Sequence, residues 1–134
     1  LSALAEQHES VEAEVRAMTE VFNTAYASND ADTYFGCYTE NSTLFFFGAR
    51  QAVADYSKEW RALIAAGGGA VKNDMSDLQI RVLPGGEAAI ATYFVDNRSR
   101  TADGEVTDAK AFETDVWQKI DGEWKIVSLH YSEM

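Results

Sequence analysis

The first quarter of the chain carries its apolar residues at helical intervals. Val11, Val15, Met18, Phe22 and Ala25–Tyr26 follow at steps of 4, 3, 4 and 3–4 residues, one stripe on a helix. Glu9, Glu12, Glu14 and Glu20 lie mostly off that stripe, as a solvated face requires. Ser28-Asn29 ends this helix, and Asp30 caps a short second one on which Tyr34 and Tyr38 share a face. Asn41-Ser42 reads as a break. Thr43 to Phe47 is then a short strand of β-branched and aromatic residues, closed by Gly48. Arg50 to Ala66 returns to helical spacing through Val53, Tyr56–Ser57, Trp60 and Leu63–Ile64, until Gly67-Gly68-Gly69 stops it.

From Asp77 onward residues alternate. Leu78, Ile80 and Val82 face one way, Gln79 and Arg81 the other. Pro84-Gly85-Gly86 turns the chain into a strand from Glu87 to Arg100. Thr101 to Gly104 turns it again into Thr107–Ile120, and Asp121-Gly122 into Glu123–Ser132. Strands much longer than the usual ~5–6 residues must twist and bend, usually at bulges. Helices followed by a long meander predict a single α+β domain over residues 1–134. Its N-terminal helices pack on a strongly curved antiparallel sheet, which leaves a hollow on the concave side.

Parity assigns the faces. On the third long strand Ala111, Glu113, Asp115, Trp117 and Lys119 oppose Phe112, Thr114, Val116, Gln118 and Ile120. On the second, Ala89, Ala91, Tyr93 and Val95 oppose Ile90, Thr92, Phe94 and Asp96; on the last, Val127, Leu129 and Tyr131 oppose Ile126, Ser128 and His130. A bulge reverses the assignment beyond it. Both faces of the sheet carry apolar groups, yet helices can cover only one. The second face must meet something, and another copy of the chain is the economical answer.

Composition adds limits. The 134 residues are 46% hydrophobic, which argues against disorder, and no apolar run approaches the ~20 residues of a membrane span. Twenty-two acids against eleven bases give a net charge of −11, which phosphate backbones and anionic lipid surfaces repel. Nucleic-acid and membrane partners are therefore not expected. The single cysteine, Cys37, is expected as a reduced, buried thiol, which fits a cytoplasmic setting. The chain begins with Leu1 rather than Met, so its natural start is expected to lie elsewhere, and no leader is visible.

The helix followed by Ser28-Asn29-Asp30-Ala31-Asp32, the strand ending in Phe47-Gly48, and the C-terminal runs Glu113-Thr114-Asp115-Val116-Trp117, Asp121-Gly122-Glu123-Trp124 and His130-Tyr131-Ser132 resemble the NTF2-like (SnoaL-like, cystatin-like) superfamily. Within it they are most similar to the association, or hub, domain of calcium/calmodulin-dependent protein kinase II. Ile90-Ala91-Thr92-Tyr93 is a weaker echo. The likeness spans nearly the whole chain in element order. It implies an NTF2-like cone that dimerises, dimers that stack into rings, and a deep pocket between helix and sheet. Hub domains carry arginines in that pocket; at the matching places this chain has Val95, Asp115 and Tyr131. Arg98, Arg100 or Arg81 would compensate if a bulge turned one inward. Superfamily relatives include isomerases, dehydratases and cyclases.

The candidate site follows. Glu113 and Asp115, two apart on one strand face, can enter a half-apolar cavity, where a desolvated carboxylate becomes a general acid or base. The alternative is structural pairing with Lys110, Lys119 or Arg98 across the strands. His130 is either a proton shuttle or part of an oligomer face. Trp60, Tyr93, Glu113, Asp115, Trp117 and Tyr131 are the expected ligand-lining residues. No metal ligand spacing and no cofactor motif is present; the glycine triplet lacks the sequel of a phosphate loop, and Cys37 lacks an activating histidine. The expected function is a hub-like oligomerisation domain with a small-molecule pocket and no catalysis of its own. The alternative is a small isomerase, dehydratase or cyclase with Asp115 as base and Tyr93, Tyr131 or His130 polarising a carbonyl.

Overall fold

The structure, a computed structural model, describes residues 2–134. Helix α1 (Ala3–Ala27) is capped by the Ser2 side chain, which accepts from the Ala5 amide at 3.1 Å. Its expected stripe is the buried one at Val11, Val15, Phe22 and Ala25, but Thr19 and Asn23 are buried on it as well. Asp30 caps α2 (Ala31–Gly36) through Thr33, as read from the sequence. Then follow β1 (Tyr38–Phe46), β2 (Ala49–Gln51), α3 (Val53–Ala65), β3 (Gly69–Val82), β4 (Ala88–Arg100), β5 (Val106–Ile120) and β6 (Glu123–Glu133).

The strands form one sheet in the order β2-β1-β6-β5-β4-β3. It is mixed rather than wholly antiparallel, because β1 runs parallel to β6. The expectation of antiparallel pairing came from the hairpins, and no hairpin joins these two strands. Helix α1 lies across β3 and β4, and α3 against β1, so the helices cover one face. The core of that face gathers Val15, Phe22, Tyr34, Leu44, Trp117, Trp124, Ile126 and Leu129.

Three strand readings are corrected. Strand β1 starts at Tyr38, not Thr43, and Asn41-Ser42 lies inside it. Between Tyr38 and Thr43 the register with β6 slips, and the Ser42 hydroxyl holds the kink: it accepts from the Thr39 amide at 3.0 Å and donates to the Ile126 carbonyl at 2.6 Å. Strand β3 starts eight residues before Asp77; Asp77 itself sits at φ +53 within an interruption of the β3–β4 register. On β6 the pairing passes from Val116↔Ser128 to Trp117↔Ile126, which leaves Val127 as the extra residue of a bulge. Ile126 and Leu129 are therefore both buried, and the parity read for this strand holds only after Val127.

Asn29 ties the end of α1 to the sheet. It has left-handed backbone (φ +59), and its amide both accepts from Ala70 N at 2.7 Å and donates to Ala70 O at 2.9 Å, as a neighbouring strand would. A side chain on Gly69 (φ +122) would strike that amide, with a Cβ only 2.4 Å from Asn29 Oδ1. Asn29→Ala should lower the unfolding free energy by about 1–3 kcal/mol in urea titration, for two part-buried hydrogen bonds at roughly 1 kcal/mol each plus the left-handed backbone. An unchanged midpoint would show that this clasp does not hold the helix to β3.

Candidate functional site

Strands β4 and β5 pair without a slip from Ala88↔Gln118 to Arg100↔Val106. The alternation read from the sequence is therefore preserved, and Tyr93, Glu113, Asp115 and Trp117 all point to the helices. Tyr93 is 3% exposed, Glu113 8% and Asp115 0%. Glu113 stands opposite Tyr93 on one side and Tyr131 on the other; Asp115 stands opposite Ala91 and Leu129. No basic residue is a cross-strand neighbour of either acid. The ion-pair expectation is thereby overturned: among the described residues neither carboxyl forms a salt bridge. Arg98 pairs with Asp108 at 2.7 Å, and Lys119 lies 3.9 Å from Glu14. Lys110 is opposite Asp96. No bulge turns an arginine inward either, since Arg81, Arg98 and Arg100 are all exposed.

What the two acids share is the Tyr93 hydroxyl. It lies 2.7 Å from Asp115 Oδ2 and also bonds Glu113 Oε2. A phenol has one proton and cannot donate to both oxygens. The two carboxyls compete for that proton, and burial favours the neutral form of both. Asn23, from α1, donates to the Tyr93 oxygen at 3.1 Å and to Thr19 O at 3.0 Å, and accepts from Asn73 at 2.9 Å. Asn97 extends this chain to Asn73 Oδ1 at 3.2 Å. Asn23 and Asn73 were missed in the sequence. The available signal for Asn23 was its place on the buried stripe of α1, one turn beyond Thr19.

Burial raises both acids. Asp115 is held well above the ordinary carboxylate value by desolvation and then by the neighbouring Glu113 carboxyl. Desolvation also raises Glu113, against hydrogen bonds from Asp115 and Tyr93 that favour its charged form. Tyr93 is pushed up by burial and by the two acids. The wall around them is phenolic. The Tyr34 hydroxyl is 2.8 Å from that of Tyr38 and 2.9 Å from that of Tyr56. The Tyr34 ring stacks on Phe22 at 4.6 Å, and Tyr26 stacks on Trp60 at 4.9 Å. Burial is the first cause of the upward shift of each of these tyrosines; Tyr131, half-buried, is pushed up to about 12 by burial and then by Glu133 and Glu113.

The remaining candidates separate. Trp117 is fully buried with its ring edge-on to Phe22 at 6.1 Å, and its Nε1, like Asp115 Oδ1, has no hydrogen-bond partner among the described residues. Trp60 is half-buried at the surface of α3. His130 is exposed on the other face of the sheet, beside Phe45 at 6.0 Å, so it does not join Asp115 and Tyr93. Cys37 is a free, buried thiol, raised to about 11 chiefly by burial. A groove of about 400 Å³ opens between the Phe45–Ala49 turn and His130–Glu133. Tyr131, the cross-strand partner of Glu113, is part of its wall.

Residues 11–134 match the calcium/calmodulin dependent protein kinase II association domain family. No curated protein matches the sequence. Among solved structures, the chain is similar to the CaMKII hub homology domain of Chlamydomonas reinhardtii (24% identity, 91% of this chain and 96% of that one, TM-score 0.72). It is also similar to the association domain of C. elegans CaMKII (17%, 93% and 97%, TM-score 0.71). An NTF2-like protein of unknown function in nutrient uptake from Rhodospirillum rubrum has 18% identity over 90% of this chain and 98% of its own, with a TM-score of 0.78. These likenesses make the fold NTF2-like.

The raised acids set the sign of the pH dependence. The folded chain holds their protons more tightly than the unfolded one, so their contribution is complete below the unfolded values of 3.8 and 4.5 and is lost as pH rises through the raised folded values. Asp115→Asn removes the like-charge conflict. It should raise the melting temperature at mildly alkaline pH and flatten the decline expected of wild type as pH rises above 4.5. Equal slopes in the two proteins would mean that the pair does not titrate above its unfolded values.

Proposed function

The chain belongs to the calcium/calmodulin dependent protein kinase II association domain family, and from that membership we propose that it is a self-associating domain. It forms a homodimer, and its dimers stack into a ring. The cone interior serves as a small-molecule pocket, and no reaction is catalysed there. One observation carries the association: the helices cover one face of the sheet, and the opposite face presents an aromatic pair at its centre. Phe94 and Phe112 are cross-strand partners with ring centroids 4.7 Å apart, yet they are 36% and 50% exposed. Exposed aromatic clusters of this kind mark interfaces. Thr92 and Thr114, also paired, lie on the same face, as does His130.

The pocket reading is supported by the half-buried aromatic residues Tyr26, Tyr56, Trp60 and Tyr131. The absence of catalysis is supported by how the candidates are held. The Tyr93 hydroxyl is engaged by two carboxyls, and His130 is on the far face. The unpaired Cys37 supports a reducing, cytoplasmic setting.

In light scattering at micromolar concentration, the wild-type chain should have a mass of an even multiple of 14.8 kDa. Phe112→Glu, at an exposed position that tolerates charge in the monomer, should reduce it to a smaller assembly with unchanged far-UV circular dichroism. A monomeric wild type, or a Phe112→Glu protein of unaltered mass, would overturn association through this face.

A further inference from the structure

We propose that the Phe45–Ala49 turn and the groove beside it form a contact between two copies of the chain, in which the Phe47 ring of each copy seats in the groove of the other. The proposal rests on the reading of the chain as a self-associating domain, and it names the residues that one copy contributes to the other.

The sheet makes the groove. The ladder of β1 with β6 stops at Phe45↔His130, while β6 runs on against β5 to Ala111↔Glu133. Beyond His130, β6 therefore has a strand on one side only. The gap on the other side is the groove of about 400 Å³ between the turn and His130–Glu133. Spaces of that size hold small organic groups, a phenyl ring among them. Phe45, Phe46 and Tyr131 give it aromatic walls, and Glu133 is the charged residue in its lining.

The turn is built against its local preference. Phe46↔Ala49 closes a two-residue hairpin loop in which both residues have positive φ, Phe47 at +54 and Gly48 at +73. Asparagine, aspartate or glycine ordinarily fill the first of these positions, and a bulky residue there is a steric outlier. The ring that this backbone carries is 75% exposed, meeting Phe46 edge-on at 5.3 Å and Tyr131 at 6.4 Å. A strained backbone that holds an aromatic ring in water points to a partner that covers it.

Charge and position identify that partner as a second copy. Arg50, just after the turn, stands over the Phe45 ring at 4.9 Å, and Glu133 lines the opposite wall. Both are exposed, and neither forms an ion pair among the described residues. Ring beside groove and base beside acid make the patch self-complementary. A two-fold rotation seats each ring in the other groove and brings each Arg50 to the other copy's Glu133. Two chains of net charge −11 repel, so opposite charges at this rim matter to their approach. The patch is also continuous with the aromatic pair on the outer face, because Ser132 in the groove wall is the cross-strand neighbour of Phe112.

Sedimentation velocity over a dilution series of the full chain reads the contact. Phe47→Asn gives the turn the Asn-Gly pair it prefers, so far-UV circular dichroism should be unchanged. The dissociation constant should nevertheless rise about tenfold or more, the scale of a lost aromatic anchor. Arg50→Glu and Glu133→Arg should each raise it several-fold. The double variant restores the pair with its signs exchanged and should recover most of that loss. An affinity unaltered by Phe47→Asn, or no recovery in the double variant, would overturn the contact. If Phe47→Asn fails to fold, the charge exchange alone decides. Phe112→Glu separates this result from the wider reading. A wild type that is monomeric throughout would overturn both. Weakening by Phe112→Glu but not by Phe47→Asn would keep association through the outer face and overturn the groove contact. The reverse would keep the groove contact and overturn the outer face as an interface.

Discussion

A single layer of helices can cover only one face of a sheet, and the architecture of this protein follows from that constraint. Six strands bend around α1, and the concave side closes on Phe22, Trp117 and the tyrosines. The convex side has no second layer to meet. Its cross-strand Phe94–Phe112 pair thus stands in water in the isolated chain. The same curvature draws the inner faces of β4 and β5 toward the helix, so that side chains from these two strands and α1 meet around one phenolic oxygen. The acidic cluster and the exposed aromatic pair lie on the two faces of one bent sheet.

The acidic site is unusual because nothing basic balances it. Two carboxylates placed in a nonpolar interior would repel one another and lose hydration. The structure meets that cost with neutral donors rather than cations, the Tyr93 hydroxyl and the amide of Asn23, and burial pushes both acids toward their neutral forms. The surrounding tyrosines fit this solution. Their hydroxyls bond one another, and with their ionisation pushed up they stay neutral, adding dipoles but no charge. Among the described residues, no basic side chain stands across the strands from Val95, Asp115 or Tyr131.

Much of this was legible in the sequence, and the failures share one cause. The helices, the hairpin turns and the inner faces of β4 and β5 were readable because those two strands pair without a slip. The errors cluster at irregular register. The start of β1 was hidden because Asn41-Ser42 has the composition of a break and is used as a bulge. The first half of β3 was hidden because Lys72, Asn73 and Asp74 give no apolar alternation at the rim of the sheet. Ion pairing for Asp115 was plausible by composition and failed by partner: its neighbours across the strands are Ala91 and Leu129, which only the register reveals. Asn23 was concealed by its polarity on an otherwise apolar stripe, although a buried amide there is what a phenol flanked by two acids requires.

The bulge at Val127 decides which residue completes the site. Strand β6 runs inward at Ile126, passes through one extra residue, and is inward again at Leu129 and Tyr131. Without the extra residue, alternation from Ile126 would bring Ser128 and His130 to the inner face and send Tyr131 to the outer one. The cluster would then contain an imidazole beside Glu113, a group able to supply the positive charge that the acids lack. The kink held by Ser42 on β1 meets the bulge at the same point, with its hydroxyl on the Ile126 carbonyl, so the two irregularities support each other. One added residue in a strand thus keeps the imidazole of His130 on the outer face of the sheet and the phenol of Tyr131 on the inner one. The negative character of the interior depends on that register as much as on the acids themselves.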